Sequence, residues 1–211
     1  MSPSIDTYAA RLEIDYPQRD LDRVSTLLRL FYVIPIVIVL GLIGATTFGD
    51  TAGESGATIG AIGGGVLVVP VLLTILFRQK YPRWWFDFNL QLTRFSTRVV
   101  SYLALMSDTY PSTDEEQFVH LDLDYPNVTQ DLNRGLPLVK WLLAIPHYIV
   151  LLLLGIAAAV AVVVAWFAIL FTGRYPRGLF DFVEGVLRWG LRVQAYAFLL
   201  VTDRYPPFSL A

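Results

Sequence analysis

Four arginines are the residues of this chain best placed to do chemistry. Arg94 and Arg98 stand four apart, and so do Arg188 and Arg192. Each pair closes a longer polar series: Asp87, Gln91, Arg94 and Arg98 in one stretch, Asp181, Glu184, Arg188 and Arg192 in the other. Spacings of three and four put each series on one face of a helix. A guanidinium can grip phosphate or carboxylate with two parallel hydrogen bonds. The spacing therefore predicts an anion site, for lipid phosphate or for acidic groups on a partner, with Arg83 and Arg177 at the head of the two stretches. The competing reading is internal: Asp87, Asp181 and Glu184 neutralise these arginines within the fold.

Other candidate chemistry is sparse. Asp15 and Asp124 are matched acids that could hold a cation, although strand-edge charges answering nearby arginines explain them as well. His120 has no second histidine near it in sequence. His147 follows a proline in an apolar run, where an ionisable group is costly and a functional role is conceivable; a hydrogen-bonded interface residue is the weightier reading. The run "GAIGGG" (60–65) opens an apolar segment and suits close helix approach, not phosphate. There is no cysteine, which removes disulfides and thiolate chemistry. No zinc-protease, nucleophile-elbow, Walker or dinucleotide motif occurs. The expectation is a protein that is not an enzyme and has no metal, no cofactor and, at net charge -2, no nucleic-acid partner.

The elements that must position the arginines follow from hydropathy. The chain of 211 residues is 55% hydrophobic and 16% charged, with mean hydropathy +0.54, against about 25% charged in ordinary soluble domains. Residues 27–48 and 59–77 each approach the roughly 20 apolar residues that span a bilayer, and "GDTAGESGAT" between them reads as an exposed loop. Residues 136–172 are long for one span, and two helices turning near Gly155 to Ala158 are expected, with a single long tilted span as the alternative. Polar and apolar residues alternate in "RLEIDYP" and "FVHLDLDYP", which predicts two half-buried strands. Each Tyr-Pro of "KYPR" and "RYPR" should end one helix and re-aim the chain into the next. Tyr81, Trp84, Trp85, Tyr175 and Trp189 are expected at headgroup level.

An internal comparison organises these pieces. "LEIDYP" (12–17) answers "LDLDYP" (121–126), "DLDR" (20–23) answers "DLNR" (131–134), "KYPRWWFDF" answers "RYPRGLFDF", and "DTYP" (108–111) answers "DRYP" (203–206), all in the same order. Six cation pairs recur: Arg23/Arg134, Arg29/Lys140, Lys80/Arg174, Arg83/Arg177, Arg94/Arg188 and Arg98/Arg192. The reading is a tandem duplication, 1–112 and 113–211. Each half would hold a short strand, a transmembrane hairpin and a long amphipathic interfacial helix, giving a mainly α membrane protein with four transmembrane helices. No Lys or Arg lies between Phe31 and Phe77 or between Trp141 and Phe171. The bias of cations to the cytoplasmic side then places both termini in the cytoplasm of a multi-pass cell-membrane protein.

The stretch from Ala165 to Leu210, "AWFAILFTGRYPRGLFDFVEGVLRWGLRVQAYAFLLVTDRYPPFSL", resembles a bacterial and archaeal membrane-protein family known only as domain of unknown function 4389. The first half departs from it at Trp84-Trp85 and at Asn89-Leu90-Gln91. The resemblance implies an integral membrane protein carrying this repeat and implies no activity. The residues themselves suggest an accessory or scaffold subunit whose basic cytoplasmic face engages anionic membrane lipid or a partner membrane complex, possible partners including a second copy of the chain. The alternative is a small solute or ion transporter or channel with a path between the repeats.

Overall fold

The computed structural model describes residues 8–45, 71–113, 115 and 117–211. The loop "GDTAGESGAT", the run 60–65 and most of the expected span 59–77 lie outside the described residues. Two strands, β1 (Ala10–Ile14) and β2 (Val119–Leu123), and four long helices, α1 (Arg23–Ala45), α2 (Arg83–Leu103), α3 (Ile145–Thr172) and α4 (Arg177–Ala197), carry the fold. The strands pair antiparallel, with Leu12 opposite Leu121 and Ala10 opposite Leu123. Their alternation does what the sequence requires: both strands read buried, exposed, buried, exposed, buried. The buried faces rest on the amphipathic helices, β1 on α4 and β2 on α2. Those helices pack in turn against α3 and α1, which touch each other.

Helix boundaries have local causes. Asp22 accepts the backbone N–H of Val24 and Ser25, an N-cap that satisfies two otherwise orphaned donors of α1. Pro82 and Pro176 sit in extended conformation immediately before α2 and α4. Gly173 ends α3 at φ 76°, a left-handed position that costs glycine nothing.

Residues 136–172 do not form the expected hairpin. A 3-10 turn (Leu136–Leu138) and one α turn (Lys140–Leu143) lead into a single unbroken helix, α3, of 28 residues. Gly155, the expected turn, sits in mid-helix with open space beside it. Alanine, leucine and valine around it supply no capping group and no break, so propensity and continuity prevail. At 1.5 Å per residue α3 is about 42 Å long, and it is long and apolar enough to cross a membrane. It buries little of itself: 11% of its most apolar window is covered. Ala161, Ala165 and Ile169, spaced at four, form the buried ridge, while Leu152, Leu153, Val160, Val164 and Phe171 are exposed.

Contacts come in matched pairs, and many of them cross between the two halves of the chain. Arg188 of α4 donates to the Leu12 carbonyl of β1 at 2.9 Å, and Arg94 of α2 donates to the Leu121 carbonyl of β2 at 2.8 Å. The Tyr16 hydroxyl donates to the Tyr175 carbonyl, and the Tyr125 hydroxyl to the Tyr81 carbonyl. Each strand therefore covers the amphipathic helix of the other half. Within each half a buried cation closes the structure. Arg29 pairs with Asp108, and Lys140 pairs with Asp203 at 2.7 Å. Both carboxylates also accept a backbone N–H, from Asp22 and from Asn133.

The second of these pairs makes a stability prediction. Lys140 is 0% exposed while Asp203 is 20% exposed, so the two partners are not equivalent. Asp203→Ala strands a buried ammonium and should cost about 3–5 kcal/mol. Lys140→Met leaves a carboxylate that is partly exposed and keeps the Asn133 N–H on Oδ2, and should cost clearly less. Chemical denaturation of the purified protein measures both; equal costs would contradict the assignment.

Candidate anion site

Helix α4 carries its polar series on the face turned to β1 and to the C-terminal segment. Phe180, Val183, Trp189, Val193 and Tyr196 are buried, and Gly185 lets the segment approach: a Cβ there would meet the Leu210 carbonyl oxygen at 2.9 Å. Arg188 is held by three acceptors, the carbonyls of Leu12 and Leu210 and the carboxylate of Glu184. Glu184 also accepts the Ile14 N–H at 3.3 Å.

Arg192, one turn on, is less well provided. Its Nη1 reaches the Ser209 carbonyl at 3.4 Å, and its Nε is buried without an acceptor. Burial, and after it the positive charge of Arg188, hold its guanidinium below the usual arginine range. Both effects describe a cation short of negative charge.

Arg188 and Arg192 line a cavity of about 590 Å³ between β1, α4 and the C-terminal segment. Arg11 and Arg204 line it too, as do Tyr8 and Ser209, and among the described residues no aspartate or glutamate does. Arg11 is paired with Asp124 at 2.8 Å on the outer face of the ribbon. Tyr8 donates to the Arg204 carbonyl at 2.9 Å, which ties the strand's leading end to the C-terminal segment. Four arginines thus border one space, a lining suited to an anion with several acceptor oxygens.

The other expected site residues lie elsewhere. Arg94 bonds the Leu121 carbonyl and the Asp122 carboxylate. Arg98 is buried and donates to the Ser112 carbonyl at 2.9 Å. Because Leu12 and Leu121 face each other across the ribbon, the two arginine pairs approach its opposite edges. Arg83 and Arg177 are exposed, bridge to Asp87 and Asp181 one turn on, and stack over the rings of Tyr125 and Tyr16 at 4.6 and 4.5 Å. Asp15 and Asp124 flank opposite ends of the ribbon, Asp15 beside His120 and Asp124 beside Arg11, so they do not form one cation site. His147 is fully buried at the foot of α3; its Nδ1 accepts from Trp189 and its ring stacks on Phe208. Three expected headgroup anchors are core residues instead: Tyr81, Tyr175 and Trp189 are 4%, 1% and 5% exposed. Trp84 alone of the five is largely exposed.

Arg11 and Arg204 were missed because neither lies on an amphipathic helix. One signal existed. Aligned on "DYP" and on "D-x-YP", Arg11 faces His120 and Arg204 faces Thr109, two places where otherwise matched segments disagree in charge.

The two α4 arginines should separate on mutation. Each hydrogen bond to a charged group is worth roughly 1.5–3 kcal/mol, so Arg188→Gln, which loses two carbonyls and unpairs Glu184, should destabilise by more than about 2 kcal/mol. Arg192→Gln gives up one long bond and a like-charge neighbour, and on the same scale should cost under about 1 kcal/mol. Thermal melts of the two variants compare them directly; a reversed order would mean the two roles are exchanged.

The chain matches no curated protein and no solved structure. A family model does match, over residues 137–209, roughly a third of the chain. It covers a single copy of its domain and leaves out the first half, where the internal comparison expects a second. The matched region contains α3, α4, Arg188, Arg192 and Arg204, and the family is described as Domain of unknown function (DUF4389).

Proposed function

We propose that this chain is a membrane-bound accessory protein that engages anionic headgroups through the arginine-lined cavity between β1 and α4. The observation that carries the proposal is the cavity itself: four arginines and, among the described residues, no carboxylate side chain line about 590 Å³. A second feature supports the membrane setting. The exposed sides of α1 and α3 carry Leu27, Phe31, Ile38, Leu152, Val160 and Phe171, and exposed apolar side chains gathered on neighbouring helices are the mark of a protein or membrane contact.

The packing also bears on how the chain sits. Helix α4 runs back along α3, from Gly173 at one end to the Trp189–His147 contact near the other. Were α3 to cross the bilayer upright, Arg188 and the polar ribbon would be drawn toward its centre, where each charge costs about 2.5–3.5 kcal/mol even by insertion scales. We favour α1 and α3 sunk into one face of the membrane, with α2, α4 and the ribbon toward water. The two ends of the described chain then share one side, since Tyr8 touches Arg204. The matched, crossing contacts support reading 1–112 and 113–211 as duplicated halves. Partner membrane proteins remain within this accessory role, and they would meet the same basic face.

Vesicle binding tests the reading. Wild type should bind both phosphatidylcholine vesicles and vesicles half phosphatidylglycerol, with a clear preference for the second. Arg192→Gln with Arg204→Gln should keep membrane binding and lose most of that preference, about 2 kcal/mol or roughly thirty-fold, at about 1 kcal/mol per cation. A variant that keeps the full preference sinks the headgroup assignment. Failure of wild type to bind either vesicle sinks the membrane assignment.

A further inference from the structure

Two carbonyls of the C-terminal segment sit on the guanidinium atoms that a bound anion would need. Arg188 commits Nε to the Leu12 carbonyl at 2.9 Å and Nη2 to the Glu184 carboxylate. Its remaining nitrogen, Nη1, bonds the Leu210 carbonyl at 3.3 Å. Arg192 has its Nε buried, so a two-bond grip on an oxyanion must come from its Nη1 and Nη2. That Nη1 is the atom bonded to the Ser209 carbonyl, at 3.4 Å. Both bonds are longer than the roughly 2.7–3.2 Å of ordinary N–H···O bonds. A charged phosphate oxygen bonds arginine at about 2.7–2.9 Å and roughly twice as strongly as a neutral acceptor.

The segment is anchored unevenly. As far as Phe208 it is well held. The Tyr8 hydroxyl donates to the Arg204 carbonyl at 2.9 Å, the Tyr205 hydroxyl donates to the Leu143 carbonyl at 3.2 Å, and the Phe208 ring stacks on His147 at 4.0 Å. Beyond Phe208 the hydrogen bonds to α4 are the two long ones from Arg188 and Arg192. The half-buried Leu210 side chain packs beside Trp189 and Val193, and its carbonyl oxygen lies over Gly185, where a Cβ would meet it at 2.9 Å. Ser209 N–H donates to the Pro207 carbonyl and Ala211 N–H to the Ser209 hydroxyl, so the last three residues are turned on themselves and can shift as a unit.

We propose that residues 209–211 are an internal cover on the arginine cavity, displaced when a phosphate-bearing headgroup takes Nη1 of Arg188 and of Arg192. The inference rests on the headgroup reading above and adds a regulation to it. Cover and anion compete for the same atoms, so each lowers the affinity of the other by the same factor. Weakening the cover raises the apparent affinity for the anion in proportion to the closed fraction it removes.

Two glycines of α4 supply the test. Gly185→Ala sets a methyl group against the Leu210 carbonyl, whereas Gly190→Ala meets nothing within 4 Å and controls for the gain in helix propensity. Binding to vesicles half phosphatidylglycerol should tighten at least about three-fold in Gly185→Ala and stay at the wild-type value in Gly190→Ala. Binding to phosphatidylcholine vesicles should be the same in all three. A second measurement follows the cover itself. The sequence has no cysteine, so Ala211→Cys carries a single nitroxide label. Its spectrum should show a more mobile label on the phosphatidylglycerol vesicles and an unchanged one on phosphatidylcholine, and this measurement decides the matter if Gly185→Ala does not fold. The cover is overturned if a folded Gly185→Ala binds phosphatidylglycerol vesicles no more tightly than wild type, or if the label keeps its mobility on them while wild type still prefers them. Wild type without any such preference overturns the headgroup reading and the cover together.

Discussion

The outward-facing backbone groups of two five-residue strands set the terms for the rest of this fold. A two-stranded ribbon is marginal in water, and each strand of it has an unpaired edge. Here the edges are occupied by side chains. The Leu12 carbonyl accepts from Arg188 and the Ile14 N–H donates to Glu184 on one edge; the Leu121 carbonyl accepts from Arg94 on the other. Arginine suits the position because its long apolar stem lies along a buried helix face while its fork reaches the backbone. Placing charge in the middle of an amphipathic helix, which looks like a binding stripe from sequence, is thus first a means of holding strands.

Because each strand is held by the helix of the opposite half, neither half can complete itself. The crossing contacts of Tyr16 and Tyr125, and of Arg174 with Asp20 at 2.8 Å, lock the exchange at the Tyr-Pro turns. The contacts within each half have another task. Arg29–Asp108 and Lys140–Asp203 fasten the entry of α1 and α3 to the segment that follows α2 and α4. Each cation also lies over a tyrosine ring, Arg29 over Tyr102 at 4.4 Å and Lys140 over Tyr196 at 5.2 Å. Such buried pairs add little net stability, yet they are intolerant of losing one member. They specify where the helices begin while leaving the apolar sides of α1 and α3 uncovered.

Periodicity made part of this legible. The alternation at 12–16 and 121–125 and the three-four spacing at 87–98 and 181–192 translate directly into β1, β2, α2 and α4. Hydropathy reports how apolar a run is and not whether it bends, so it does not distinguish the helix α3 from a hairpin; Gly155 is as compatible with mid-helix as with a turn. Aromatic residues beside proline and arginine suit an interface, and Tyr81, Tyr175 and Trp189 carry that signature without being surface anchors. In the fold those residues sit under the ribbon and against α3, and burial pushes the Tyr175 hydroxyl up to about 12. The cavity was not legible at all as a whole. Its arginines come from residues 11, 188, 192 and 204, which only the crossing of strand and tail brings together.

The departures from symmetry are therefore more informative about function than the symmetry itself. Where the halves agree, the shared residues have structural partners: Arg94 and Arg188 each bond a strand carbonyl, Arg83 and Arg177 each stack on a tyrosine, and Arg29 and Lys140 each meet an aspartate. Where they differ, charge accumulates on one side. Arg11 stands where the other half has His120, and Arg204 where it has Thr109, and both border the cavity that holds Arg192. The apolar helix α3 and the family match both fall in the second half, and the first half supplies the strand that completes the cavity.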